Sequence, residues 1–148
     1  MKTKKIIIAI DEINLGKFKE IINSLDSNIC MVKVGSVSFN ALGQEAVLFA
    51  AEEGFEIFLD LKLHDIPNTV KKSIKGLISL PIQMLTIHIA GGMQMLEYAM
   101  EAVKGTGIKV LGVTALTSLS DEDANLIYQR DAADQVNAML DLAEESGI

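Results

Sequence analysis

Short runs of β-branched and aliphatic residues recur along this chain at regular intervals, separated by longer amphipathic stretches, and this alternation restricts the fold more than any other feature. Strand and helix patterns that take turns imply βα units, in which successive strands lie parallel and each helix carries the chain back across the sheet. The pattern predicts five strands, over residues 5–11, 29–35, 55–61, 84–90 and 109–114. Each is nearly all apolar until its C-terminal end, as strands are when helices cover both faces of a sheet.

Helical periodicity fills the intervals. Leu15, Phe18, Ile22 and Leu25 follow a candidate cap at Asn14; residues 42–53 form a second pattern closed by Gly54. A third runs through Val70, Ile74, Leu77 and Ile78 with Pro67 in its first turn, and a fourth through Leu96, Ala99, Met100 and Val103. Helices are also expected over residues 121–128 and about 133–145, the latter burying Val136, Met139, Leu140 and Ala143. Ser146, Gly147 and Ile148 then read as a helix stop and the start of a sixth strand.

Composition narrows the class. With 148 residues, 49% of them hydrophobic, the chain has the length of one domain and the apolar material for a core, so residues 1–148 are read as a single domain. A net charge of -7 without any Lys/Arg cluster argues against a nucleic-acid or anionic-membrane surface. The lone Cys30 has no partner for an internal disulfide; its apolar neighbours Ile29 and Met31 suggest a buried thiol in a reducing compartment, with cytoplasm the default. The N-terminus is basic and then apolar, but the run from Ile6 to Ile10 ends at Asp11 and Glu12, which fits a strand better than a signal peptide. Nothing approaches the roughly 20 apolar residues of a membrane span, so a soluble protein is expected.

Polar residues gather where the strands end: Asp11, Lys33, Asp60 and Lys62, His88, Thr114. In a parallel barrel that edge carries the active site. Residues two apart on an extended strand share a face about 7 Å apart, so Asp60 and Lys62 are expected to face one cavity, with Asp65 just beyond. Interleaving Lys33 and Lys62 with the carboxylates gives every ion a counter-ion. Taken alone, a D-x-K pair is as readily a solvated charge pair, and His88 as readily a hydrogen-bonded core histidine. Gly91-Gly92 reads as a tight strand-to-helix turn because no phosphate-loop pattern surrounds it, and Met93, Met95 and Met100 read as packing. No Cys/His set has zinc spacing.

The run Leu59-Asp60-Leu61-Lys62-Leu63-His64-Asp65-Ile66-Pro67-Asn68-Thr69 resembles the D-x-K-x-x-D-I-P-N-T signature of the orotidine 5'-phosphate decarboxylases. Ala9-Ile10-Asp11, Val32-Lys33-Val34-Gly35, Ile87 to Gly92 and Gly112 to Ser118 resemble that family's first, second, fourth and fifth strands in the right order, so the likeness spans residues 1–148. The resemblance implies an α/β fold of the TIM (β/α)8 barrel family. Such a barrel takes about 250 residues and eight strands, and this chain carries only about the first five βα units.

It also implies a cofactor-independent conversion of orotidine 5'-phosphate to UMP and CO2 in pyrimidine biosynthesis, with no metal. By resemblance, Lys33, Asp60, Lys62 and Asp65 form the catalytic charged network, with Asp65 given to the neighbouring subunit's site in a homodimer. Lys62 supplies the proton that replaces the carboxylate, Asp11 and Lys33 contact ribose hydroxyls, Thr69 reaches the partner's ribose, and Ser118 lies against the pyrimidine amide edge. Magnesium-dependent sugar-phosphate decarboxylases and aldolases of the same superfamily also carry D-x-K-x-x-D, but with Glu in place of Lys33. A further alternative is a non-catalytic fragment: the family's phosphate-binding glutamine loop and glycine-arginine motif have no counterpart in the sequence, so the 148 residues alone are expected to turn over substrate poorly or not at all.

Overall fold

A computed structural model describes residues 6–148. Its strands are β1 (Ile6–Ile10), β2 (Cys30–Gly35), β3 (Ile57–Leu63), β4 (Ile82–His88) and β5 (Lys109–Val113); its helices are α1 (Leu15–Asn23), α2 (Ser36–Leu42), α3 (Gln44–Glu52), α4 (Pro67–Leu77), α5 (Met93–Val103), α6 (Asp121–Tyr128) and α7 (Ala132–Ser146). The five strands form one sheet in the order β1-β2-β3-β4-β5. Sequence order equals spatial order, as a singly wound βα repeat requires. Parallel register pairs Ile10 with Val34 and Gly35 with Asp60. None of the described helices is long and apolar enough to cross a membrane.

The described residues divide into two compact units. The first holds residues 6–61 with Gly76–Leu85 and Thr106–Lys109. Its core comprises Phe18 and Ile22 of α1, Val32 and Val34 of β2, Ala46, Val47 and Ala50 of α3, and Ile57 and Leu59 of β3, all fully buried. Asn14 caps α1 as expected, its side-chain oxygen accepting from the Lys17 amide at 3.0 Å. The second unit holds Lys62–Lys75, Thr86–Gly105 and Val110–Ile148. Here Ile74 of α4, Ile87 of β4, Met95, Leu96 and Ala99 of α5, and Ala124 of α6 are fully buried. Asp131 caps α7 through the Asp134 amide, and Gly147, at φ 81°, closes it in the left-handed conformation that glycine tolerates.

Several expectations shift. Of the strand predicted over residues 5–11, residue 5 lies outside those described, and the strand observed is Ile6–Ile10. The strand predicted over 55–61 runs Ile57–Leu63, because Phe55 is still bonded to Ala50 at the end of α3. The strand predicted over 84–90 runs Ile82–His88; Ile89 to Gly91 curl into a 3-10 turn that keeps Ile89 buried, so the apolar run outlasts the strand. The pattern predicted over 42–53 begins only at Gln44, and a separate helix, α2, precedes it, the two parted at Gly43 with φ 65°. On α7 the buried face is Gln135, Met139 and Ala143; Val136 is half-buried and Leu140 is 53% exposed, so the packed stripe lies one position toward the N-terminus of the predicted one. Cys30 is buried, its Sγ on the Asp26 carbonyl, and the turn at Gly91-Gly92 is as expected.

Candidate active site

In the first unit, β1, β2 and β3 bring three predicted residues to neighbouring strand ends. Lys33 Nζ donates to Asp60 Oδ2 at 3.0 Å, with the two side chains 27% and 8% exposed. The register sets Gly35, not Lys33, opposite Asp60, so the lysine stem leans along the strand to reach it. A charge-assisted bond to a carboxylate almost withdrawn from water is stronger than a solvated surface pair. Gly35 leaves space for the remaining member: a Cβ there would sit 3.3 Å from Asp11 Oδ1 and 4.0 Å from the Asp60 carbonyl.

Asp11 itself is exposed, but the strand end that carries it is tied down. The fully buried Ser38 of α2 donates from Oγ to the Ile10 carbonyl and accepts from the Glu12 amide, both at 2.9 Å, so the backbone on either side of Asp11 is bonded to one hydroxyl. Sequence reasoning missed Ser38 together with its helix. The only signal was a serine alternating with Val37 and Phe39 just past a strand end.

The second unit carries Lys62, Asp65, Thr69 and Ser118. Lys62 has φ 50°, one of the two positive-φ residues other than glycine among those described. Lys62 thus departs from extended φ within β3, which runs on to Leu63. Its amide donates to Thr86 Oγ1 at 2.8 Å, and Thr86 is 4% exposed. Nearby, the His64 and His88 rings lie 5.2 Å apart, tilted by 36°. Burial first, then the His64 ring and the Lys62 charge, lower the pKa of the half-buried His88 below its ordinary 6.5, which favours the neutral ring.

Beyond β3, Asp65 is exposed with Oδ1 accepting from the Ile66 amide at 2.6 Å, and Ile66 is 68% exposed. Thr69 is exposed in the first turn of α4, and Ser118 is exposed in the segment between β5 and α6.

The comparisons agree on one kinship. The family model "Orotidine 5'-phosphate decarboxylase / HUMPS family" matches residues 4–148. The orotidine 5'-phosphate decarboxylase of Ehrlichia chaffeensis is 42% identical over 149 aligned positions, covering 100% of this chain and 64% of its own length. The crystal structure of orotidine 5'-phosphate decarboxylase from Lactobacillus acidophilus superposes with a TM-score of 0.86 at 35% identity, over 98% of this chain and 69% of that one. That of Methanocaldococcus jannaschii, complexed with the inhibitor BMP, superposes at 0.80 with 19% identity and attests the fold. The chain thus spans just under two-thirds of the length of the Ehrlichia relative. With a parallel βα sheet, a Lys33–Asp60 pair at its strand ends and this full-length match, the chain belongs to the orotidine 5'-phosphate decarboxylase / HUMPS family.

Proposed function

We propose that this chain supplies the charged groups of a cofactor-independent decarboxylase acting on orotidine 5'-phosphate, releasing CO2 and leaving UMP. The observation that carries the reading is the 3.0 Å Lys33–Asp60 pair, two residues before Lys62 on β3. Decarboxylation leaves an electron pair on the ring carbon with no cofactor to take it up, so the protein must favour that developing charge over the starting carboxylate. Asp60, fixed by Lys33, faces the substrate carboxylate. Two such charges about 4 Å apart at an effective dielectric of about 20 repel by about 4 kcal/mol. Relief of that repulsion as the C–C bond breaks is worth about three powers of ten in rate if fully realised. The Lys62 ammonium stabilises the carbanion and transfers its proton to the vacated carbon.

Asp11 and Lys33 contact ribose hydroxyls, and Ser118 reads the amide edge of the pyrimidine. Asp65 and Thr69 complete the site of a second copy in a homodimer; their exposure, and that of Ile66 between them, supports this role. Sugar-phosphate enzymes of the same superfamily hold magnesium with a Glu where Lys33 stands here. A Lys33 ammonium on Asp60 opposes a divalent cation in that place, which favours the nucleotide. A metabolic enzyme of this kind belongs in the cytoplasm.

The test is Lys62→Ala in the full-length protein, followed by the loss of orotidine 5'-phosphate absorbance. Decarboxylation should vanish while the far-ultraviolet circular dichroism is unchanged; substantial remaining turnover removes Lys62 from the proton-donor role.

A further inference from the structure

We infer that Thr86 is a positioning residue for Lys62: its hydroxyl holds the lysine peptide in the left-handed conformation and thereby sets the direction in which the side chain leaves β3. The inference deepens the decarboxylase reading and rests on it for its catalytic part.

Three observations meet at this point. Lys62 sits at φ 50°, where a Cβ crowds the following carbonyl, so the conformation persists only if its surroundings impose it. Its amide donates to Thr86 Oγ1 at 2.8 Å, a contact with a side chain of the neighbouring strand. Thr86 is 4% exposed, and a β-branched side chain has few χ1 rotamers, so the acceptor is fixed before the lysine arrives. Rotating φ at one strand residue redirects its Cα–Cβ bond relative to the pleat, and a proton donor must be aimed to within a fraction of an ångström. On β4, His88 stands two residues after Thr86 and so on the same face, and its titration registers the Lys62 charge. β4 therefore presents one residue that grips the Lys62 backbone and another that senses its ammonium.

Thr86→Val removes the hydroxyl and keeps the shape; Thr86→Ser keeps the hydroxyl and removes the methyl. In the full-length protein, Thr86→Val should lower kcat for orotidine 5'-phosphate about 10–100-fold with KM within about twofold, whereas Thr86→Ser should stay within about threefold of the parent. Amide hydrogen exchange at Lys62 should quicken in Thr86→Val and not in Thr86→Ser. Equal losses in both variants, a loss confined to KM, or unchanged exchange at Lys62 would each overturn the assignment. If Thr86→Val does not fold, Thr86→Ala takes its place with the same two readouts. Should the parent show no decarboxylation, the decarboxylase reading fails, while the exchange measurement still decides whether Thr86 holds Lys62.

Discussion

At Lys62 backbone strain and proposed chemistry coincide, and two substitutions separate them. At an ordinary extended position alanine is more stable than glycine, because glycine loses about 0.5–1 kcal/mol more backbone freedom on folding. At φ 50° the order reverses, since a residue with a Cβ meets the following carbonyl at a cost of about 1–2 kcal/mol that glycine does not incur. Taking the middle of each range, Lys62→Gly should be more stable than Lys62→Ala by about 0.75 kcal/mol. In a chain of 148 residues that corresponds to about 1–4 °C in Tm. Both variants lack the ammonium, so charge cancels from the comparison. Urea unfolding followed by circular dichroism, with equal m-values, gives the difference directly. If Lys62→Ala equals or exceeds Lys62→Gly in stability, position 62 is not strained and the left-handed assignment is wrong.

Two further outcomes concern the second unit. Because His88 is held below its ordinary 6.5, the unfolded chain binds its proton more readily than the folded one. Its contribution to stability is thus complete above about pH 6.5 and is lost as pH falls through the lowered folded value, so unfolding free energy should drop more steeply between about pH 7 and 5 in the parent than in His88→Gln; parallel curves would refute this. Gly112→Ala sets a Cβ 2.5 Å from Ile89 Cδ1 and 2.8 Å from its Cγ1, with Ile89 only 1% exposed. That overpacking should cost about 1–3 kcal/mol in denaturant unfolding, and a change below about 0.5 kcal/mol would show that the site relaxes freely.

The existence and order of the βα elements were legible because hydrophobic periodicity reports burial, and burial dominates a two-sided parallel sheet. Boundaries were less so: Ile89 is as buried in its turn as Ile87 is in the strand, so hydrophobicity could not mark where the ladder ends. Helix α2 escaped notice because seven residues give barely two turns of period and Ser36, Ser38 and Asn40 weaken helix propensity. The Lys33–Asp60 pair was legible, since both residues fall at the C-terminal ends of adjacent strands. Lys62's twist and its bond to Thr86 were not, because no residue type announces a lysine at positive φ and a threonine in a strand reads as ordinary β-propensity.

The ion pair at the heart of the site joins residues 27 apart in sequence, with two helices threaded between their strands. Helices such as α1 can begin to form from nearby residues as a growing chain emerges, but a parallel strand pair must wait for its whole crossover to close, and closing such a loop costs entropy before any contact repays it. The second and third strands and both helices between them must therefore be in place before Lys33 finds Asp60. During synthesis the paired charges come together as a product of folding, so a nascent chain stalled before residue 60 carries the lysine but not Asp60.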